Sequence, residues 1–187
     1  VGDRIFVSKY TYGYSKHSFP FSPPILSKRI MNSKPKYGDL IVFKTPSDNR
    51  TDYIKRLIGM PGDQIQIVNS EIFINDKKIL RKKTSNKLQI RCGSIPTEVD
   101  AFEETLNSGN KYIAVYSKVG TMKNSDKYIV PPKHYFLMGD NRDCSRDSRF
   151  LSSVGYVHEN NLVGKAQIIF FSNDSISGSV LKFWNWG

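Results

Sequence analysis

Short runs of β-branched and aromatic residues recur along the chain, and Gly, Pro, Asn and Asp separate them. Runs of this length, with apolar residues at alternating positions, are typical of β-strands. They predict strands over residues 4–10, 39–45, 51–59, 63–68, 71–79, 111–117, 127–131, 134–139 and 166–172. Helical periodicity is scarce, and even Glu98–Leu106, which could form one short helix, fits an extended strand nearly as well. The pattern therefore predicts an all-β protein.

The length of 187 residues allows one domain or a domain with an insertion. No apolar run in the sequence approaches the roughly 18 residues that a membrane-spanning helix needs. The charged start, with Asp3 and Arg4, precedes only a short apolar run, which does not fit a signal peptide. Because Val1 is not an initiator methionine, we expect the chain to be a piece of a longer protein.

The formal net charge of +11 makes nucleic-acid binding a hypothesis to weigh. The densest basic run consists of Lys77, Lys78, Arg81, Lys82, Lys83 and Lys87. No zinc-ligand spacing, RNP-like aromatic pair or helix-turn-helix pattern accompanies this run, so a solvated hairpin is favoured and no nucleic-acid partner is predicted. A positive surface suits a protein beside anionic lipid, where each well-placed cation contributes about 1 kcal/mol of attraction. The histidines show no ligand spacing, so we predict no metal and no other cofactor.

The segment Gly139–Arg149, GDNRDCSRDSR, is the most distinctive part of the sequence, and we call it the polar motif. It follows the apolar run Tyr135–Met138 and contains three Asp, three Arg, two Ser and one Asn. Burial of an unpaired charge costs on the order of several kcal/mol, so this mixture indicates a pre-built network of ion pairs and hydrogen bonds. The alternative is a solvated turn after a strand.

Lys55 lies in a second distinctive segment, Asp52–Asp63, DYIKRLIGMPGD, where Tyr53 and Ile54 precede it. Loss of water disfavours the ammonium form, so a buried lysine can lose its proton near neutral pH and act as a base. The alternative is a half-exposed strand lysine whose stem covers apolar surface while its charged head stays in water.

Together these two segments closely resemble signature motifs of type I signal peptidases, membrane-bound serine proteases that remove leader peptides from exported proteins. Further agreement lies in GDRIFVSKYTYG at residues 2–13, YGDLIVFKTP at residues 37–46 and YIVPPKHYFLMGDNRD at residues 128–143. The tyrosine-rich start resembles the alphaproteobacterial branch of the family. The resemblance implies a monomeric enzyme of the bacterial inner membrane, with its catalytic domain on the periplasmic side and the signal peptides of exported preproteins as substrates.

In this family a serine hydroxyl attacks the scissile carbonyl, and a neutral lysine accepts the hydroxyl proton. The resemblance implies that Lys55 is this general base and that Ser145 is the family's second serine, whose hydroxyl orients the lysine amine. The positions that match supporting polar residues of the family are Arg56, Asp140, Arg142, Asp147 and Arg149.

The family's nucleophilic serine lies in a Ser-x-Met-x-Pro motif shortly before a Gly-Asp pair, whereas this chain begins at Val1-Gly2-Asp3. We therefore expect the nucleophile, and a neighbouring serine of the oxyanion hole, to be missing from the chain, which would then be inactive by itself. Ser8, Ser15 and Ser18 are not followed by Met-x-Pro, so they are not expected to replace it.

The resemblance also implies an extended substrate with small residues at the first and third positions before the cut, the Ala-x-Ala pattern. Addition of the peptide as a strand would supply backbone hydrogen bonds, and shallow pockets would select alternate side chains. The positions that match pocket-lining residues are Ile5, Val42, Asp52, Tyr53 and Ile54. For Ile5 and Val42, ordinary strand packing is an equally good interpretation.

The fold implied by the resemblance is a coiled, barrel-like β-sheet of the signal-peptidase (LexA-like) type with a small inserted β subdomain. Residues 81–127 match the shared motifs least, so we assign them to the insertion and residues 1–80 and 128–187 to the catalytic β core. Cys92 lies in the insertion and Cys144 in the polar motif, and we do not expect them to form a disulfide.

Two alternative functions stay open. One is a different Ser-Lys peptidase, such as a conjugative pilin-processing enzyme, which the sequence of the polar motif disfavours. The other is a non-catalytic, peptide-binding paralogue, which would lack the serine motif even in the full-length gene.

Overall fold

A computed structural model of the chain describes residues 4–16, 29–30, 33–92, 96–117 and 122–171. The described residues form three sheets in which the paired strands are antiparallel. The strands are β1 Arg4–Ser8, β2 Leu40–Lys44, β3 Asp52–Gly59, β4 Gln64–Val68, β5 Glu71–Ile74, β6 Lys77–Lys78, β7 Leu80–Arg91, β8 Pro96–Thr105, β9 Lys111–Tyr116, β10 Tyr128–Ile129, β11 His134–Met138, β12 Val157–His158 and β13 Leu162–Phe171. A one-turn 3-10 helix, Glu159–Asn161, precedes β13. The prediction of an all-β protein is confirmed.

The central sheet has the strand order β1-β13-β2-β3-β11-β12. Its core follows the alternation of the sequence, because Ile41 and Phe43 of β2 are buried and pack with Leu57 of β3 in one apolar cluster. β2 flanks residues 52–56 of β3 on one side, and β11 flanks residues 56–59 on the other. The first half of β3 therefore has a strand neighbour on one side only within the described part of the chain.

A second sheet, with the order β10-β4-β5-β6, packs against β3 and β11. The largest apolar cluster lies between them and includes Ile58 and Phe136 of the central sheet with Ile65 and Ile74 of the second sheet. This cluster holds β3 and β11 rigid from the side opposite to Leu57, because successive side chains of a strand point to opposite faces.

The third sheet, β7-β8-β9, coincides with the segment 81–127 that the sequence assigns to the insertion, except that β7 begins one residue earlier, at Leu80, and we call it the inserted sheet. The ambiguous segment Glu98–Leu106 is extended here up to Thr105, as part of β8. Arg81, Lys82, Lys83 and Lys87 of the basic run belong to the long β7–β8 hairpin, whereas Lys77 and Lys78 form β6 of the second sheet. Charges pair across the long hairpin, Lys83 with Asp100 at 2.8 Å and Lys87 with Glu98 at 2.6 Å. This agrees with the prediction of a solvated hairpin.

The inserted sheet has little apolar core of its own. One small cluster contains Val99, Ala101 and Val115, whereas Tyr112 and Ala114 of β9 belong to the large cluster that β3 and β11 share. The inserted sheet is therefore packed into the main core, and its separation as a distinct subdomain stays a prediction.

The expectation that the two cysteines stay unpaired is wrong. Cys92 and Cys144 form a disulfide, with their Cα atoms 5.5 Å apart. The physical reason is that the inserted sheet, whose strand β7 ends directly before Cys92, docks on the polar motif through β9. The Val115 N–H donates to the Asp140 carbonyl at 2.9 Å, and the Arg142 N–H donates to the Val115 carbonyl at 3.0 Å. A linear sequence gives no sign of this contact.

Among the described residues, no helix has the length and apolar character needed to cross a bilayer.

Candidate active site

Lys55 occupies the middle of β3 on the same face as Tyr53 and Leu57, as the two-residue repeat of a strand requires. Its cross-strand partner on β2 is the buried Ile41. The ammonium group lies 5.5 Å from the centre of the Tyr53 ring. The lysine is thus half-buried, with its stem packed among apolar side chains.

Ser145 meets Lys55 beside Gly139, the residue at which the chain leaves β11. A Cβ atom at residue 139 would lie 2.0 Å from Ser145 Oγ and 3.5 Å from Lys55 Nζ, so only glycine leaves room for both groups. Ser145 Oγ is buried and has no hydrogen-bond partner among the described residues. A buried hydroxyl without a partner costs about 1–3 kcal/mol, and such groups point to a functional role. The structure therefore places a lysine amine and an unpaired hydroxyl side by side.

Asp147 and Arg149 form a buried ion pair within the polar motif, close in sequence to Ser145. Their side chains form two parallel hydrogen bonds, each 2.8 Å long, and the Gly139 N–H donates to Asp147 Oδ2 at 2.9 Å. Tyr128 adds a hydrogen bond from its hydroxyl to the Arg149 carbonyl at 3.1 Å. Because Asp147 accepts a hydrogen bond from the Gly139 backbone, this ion pair restricts the backbone at Gly139, beside which the Ser145 hydroxyl and the Lys55 amine lie.

Arg56, the neighbour of the lysine, forms a second two-point ion pair, with Asp140. Arg56 Nε and Nη2 donate to the two carboxylate oxygens at 2.8 and 2.7 Å, and Nη1 donates to the Gly38 carbonyl at 2.8 Å. The guanidinium also lies 4.4 Å from the centre of the Tyr112 ring. These contacts connect β3 to the start of the polar motif and restrict the backbone that carries Lys55.

Arg142 pairs with Glu104 of the inserted sheet, a residue that the sequence interpretation missed. Both side chains are 1% exposed, and Arg142 Nη2 donates to Glu104 Oε2 at 2.7 Å. The Tyr112 and Tyr116 hydroxyls donate to the two oxygens of the same carboxylate. Burial raises the pKa of Tyr112, so its hydroxyl stays a proton donor to Glu104.

The sequence hides Glu104 because the alternation of β8 changes phase. Val99 and Ala101 are buried, so a strict two-residue repeat would bury Glu103, yet Glu104 is the buried residue. The only available signal was a pair of tyrosines on β9, Tyr112 and Tyr116, and tyrosines in a strand do not by themselves identify a buried carboxylate.

The surroundings of Lys55 lower the pKa of its amine. Burial lowers the pKa of Lys55 below its ordinary value of 10.5, Arg149 reinforces this shift, and Asp147 and Asp140 oppose it. Each of these carboxylates is already held by an arginine, which weakens its attraction for a further cation. The loss of water around the amine is therefore the dominant effect.

The predicted substrate-binding positions do not form one cluster. Val42 and Ile54 are cross-strand partners, whereas Ile5 lies on β1, which β13 separates from β2. Tyr53 packs edge-to-face on Phe43, with ring centres 6.2 Å apart.

Asp52, the remaining predicted position, is half-exposed at the start of β3. Its carboxylate forms an ion pair with Lys44 Nζ at 2.9 Å. Together with Tyr53, Ile54 and Lys55 it forms the part of β3 that has no strand partner on the β11 side among the described residues.

The nearest serines to the start of the chain are engaged elsewhere or lie outside the described residues. Ser8 and Ser15 are buried, and Ser8 Oγ accepts a hydrogen bond from Thr11 Oγ1 at 2.6 Å. Ser18 lies outside the described residues. In the described ranges, no three His, Cys, Asp or Glu side chains come together in a way that could hold a metal ion.

Comparison with known proteins assigns the family. Residues 1–171 match the family model described as signal peptidase, peptidase S26. The chain belongs to this family. The signal peptidase I of Rickettsia typhi is 40% identical over 179 residues, which are 91% of this chain and 66% of that protein. The signal peptidase I of Rickettsia conorii is 40% identical over 179 residues, covering 91% of this chain and 65% of that protein.

The chain therefore spans 65–66% of the length of these relatives. The rickettsial relatives confirm the predicted resemblance to the alphaproteobacterial branch. A crystal structure of a signal peptidase I from Enterococcus faecalis V583 is similar to the chain, with 24% identity and a TM-score of 0.42, over 71% of this chain and 97% of that chain.

Proposed function

We propose that the full-length protein is a membrane-associated serine endopeptidase that removes signal peptides from exported preproteins, with Lys55 as its general base. The observation that carries this proposal is the half-buried Lys55 amine beside the unpaired Ser145 hydroxyl, with a lowered pKa. A base must be deprotonated and within reach of the proton that it accepts, and desolvation of the amine moves its pKa in the direction that the first condition requires.

The proposed reaction uses one serine hydroxyl as nucleophile and Lys55 as the group that moves its proton. As the serine oxygen attacks the scissile carbonyl, the neutral amine takes the hydroxyl proton and becomes an ammonium ion. The ammonium then gives this proton to the departing amine of the cleaved peptide bond. Water hydrolyses the resulting ester, again with the lysine as base, and regenerates the serine hydroxyl.

Ser145 orients the amine in this scheme. Its oxygen, which has no hydrogen-bond partner among the described residues, would accept one N–H of Lys55 during the reaction, and this bond would direct the nitrogen lone pair toward the nucleophile. The two arginine–aspartate pairs, Arg56 with Asp140 and Arg149 with Asp147, hold the strand and the turn that carry these groups. They act on positioning and do not exchange protons with the substrate.

The open edge of Asp52–Lys55 offers a place for the substrate. An extended peptide can add to β3 there as a strand, in the sheet position that β11 occupies beside residues 56–59. Such a peptide would run toward Lys55 and stop where Gly139 leaves β11. Pockets for small side chains at the first and third positions before the cut would then involve Tyr53, Ile54 and Val42.

The proposed location is the periplasmic face of the bacterial inner membrane, where the enzyme acts as a monomer. The Cys92–Cys144 disulfide supports this location, because such bonds persist in oxidising compartments and are rare in the cytosol. The net charge of +11 supports contact with anionic lipid.

Cleavage of a leader peptide tests the proposal. We expect the full-length protein to cut a peptide with Ala at the first and third positions once, directly after the first-position Ala. A matched peptide with Leu at the first position should show a kcat/KM about tenfold to a hundredfold lower, because overfilling a close-packed pocket costs about 1–3 kcal/mol. Binding of both peptides without cleavage would contradict the proposal and favour a peptide-binding paralogue.

A further inference from the structure

We infer that the Cys92–Cys144 disulfide is a positioning device for Ser145, and that its reduction slows the proposed peptidase without unfolding it. The bond joins the end of β7 to the residue directly before Ser145. This inference rests on the proposed function, because it concerns the serine that would orient the Lys55 amine.

The two flanks of Ser145 are held in different ways. On the C-terminal side, Asp147 is fixed by Arg149 and Gly139, and the Ser148 N–H donates to the Leu137 carbonyl at 3.0 Å. On the N-terminal side, the Cys144 N–H makes a long hydrogen bond of 3.3 Å with Asn141 Oδ1. Further from Ser145 on this flank, the Ser117 N–H donates to Asp143 Oδ2 and Arg149 Nη2 donates to the Arg142 carbonyl. The disulfide adds a covalent restraint at the residue directly before Ser145.

Ser145 Oγ depends on this backbone restraint for its position. The hydroxyl is buried and has no hydrogen-bond partner among the described residues, so no side-chain contact of its own fixes it. The hypothetical Cβ of Gly139, 2.0 Å from Ser145 Oγ and 3.5 Å from Lys55 Nζ, shows how closely these groups approach. A displacement of the order of 1 Å in such a site can cost a hundredfold in rate.

Loss of the disulfide would leave the inserted sheet docked. The buried Glu104–Arg142 ion pair stays in place, as do the hydrogen bonds between Val115 and the polar motif. The effect of reduction should therefore be local to Cys144 and Ser145, with the fold retained.

The bond is accessible to a thiol reductant. Cys92 is exposed, and Cys144 lies with Ser145 and Phe150 in the wall of an open groove of about 680 Å³. A dithiol attacks one sulfur through its thiolate, the S–S bond breaks, and a mixed disulfide forms. The second thiol of the reductant then closes its own disulfide. The protein gains two electrons and two protons as two cysteine thiols, and the dithiol loses the same number.

The test compares the oxidised full-length protein with the same protein in excess dithiothreitol, at matched temperature, with thiol counting to verify reduction. Reduction should lower kcat for an Ala-x-Ala leader peptide roughly tenfold to a hundredfold and leave KM unchanged. It should also raise the pKa of Lys55 toward its ordinary value, because a displaced Ser145 lets water reach the amine, so the acidic limb of the pH–rate profile moves to higher pH.

The Cys92→Ser/Cys144→Ser double variant is the matched control. It should reproduce the kcat and the acidic limb of the reduced protein and should not respond to dithiothreitol. An unchanged kcat and an unchanged acidic limb after verified reduction, even with a lower Tm, would overturn the inference. The disulfide would then stabilise the fold without positioning Ser145.

A readout that does not depend on cleavage separates this inference from the proposed function. The pKa of Lys55, followed by NMR of its ε-carbon, should rise on reduction even if the oxidised protein cleaves no leader peptide. Absence of cleavage by the oxidised protein would defeat the proposed function, whereas an unchanged Lys55 titration would defeat the positioning role of the disulfide.

Discussion

Replacement of Lys55 by Met is expected to lower kcat for leader-peptide cleavage by the full-length protein about a thousandfold or more. Removal of a positioned general base typically costs about 10²–10⁴ in rate, and here the same amine moves the proton in both halves of the reaction. Met keeps the apolar stem that packs against Ile41 and Tyr53, so the fold should survive the change. The measurement is kcat and KM for an Ala-x-Ala peptide, together with the Tm.

Lys127→Met is the matched control, because it makes the same substitution as Lys55→Met and removes the same charge and amine at an exposed position. Lys127 is exposed and forms an ion pair with the exposed Asp76 at 2.9 Å. Exposed pairs of this kind contribute about 0–1 kcal/mol, so this variant should keep both its activity and its Tm. A Lys55→Met protein that retained more than about a tenth of the original kcat would contradict the role of Lys55 as the base.

Replacement of Glu104 by Ala is expected to lower the free energy of unfolding by about 3–5 kcal/mol. The change leaves the buried guanidinium of Arg142 without its carboxylate, and removal of one partner of a buried ion pair has a cost of this size. The Tyr112 and Tyr116 hydroxyls lose the same acceptor. Denaturant unfolding followed by tryptophan fluorescence measures the difference.

Glu103→Ala is a nearly ideal control, because Glu103 is the adjacent residue of β8 and also pairs with a cation. Its partner is Lys111, at 3.2 Å, and both side chains are largely exposed. This variant should lose at most about 1 kcal/mol of stability. Similar losses for the Glu104 and Glu103 variants would show that the buried network does not tie the inserted sheet to the polar motif.

The sequence predicted the strands that are rich in β-branched and aromatic residues, including β3 and β11, whose burial does not alternate. In β2 the alternation of Ile41 and Phe43 with half-buried neighbours indicated both the strand and its core face. β7 was expected only as part of a solvated hairpin, because its side chains are mainly polar and its charges find partners across the hairpin instead of in a core. Charges that pair across two strands produce no alternation of apolar and polar residues in the sequence, so the strand that carries them is hard to predict.

The candidate site also contains residues that the sequence predicted and residues that it did not. Lys55 and Ser145 were identified through local motifs, and the structure brings them together at Gly139. Glu104 and the Cys92–Cys144 bond escaped prediction, because both depend on how the inserted sheet docks on the polar motif. Contacts between segments that lie tens of residues apart carry no local pattern: Glu104 departs from the alternation of β8, and a cysteine in a sequence does not identify its partner.

The pKa of the Lys55 amine is the property on which the proposed mechanism depends most directly. It can be measured by NMR titration of the full-length protein labelled with ¹³C at the lysine ε-carbon, with the Lys55→Arg variant to assign the signal. We expect a pKa clearly below the ordinary value of 10.5, because burial disfavours the ammonium form more than Asp147 and Asp140 favour it. Cleavage should then be lost as the pH falls through that lowered pKa and the amine takes up its proton. A pKa at or above 10.5 would contradict the mechanism, because Lys55 would be protonated at neutral pH and could not accept the proton of a nucleophile.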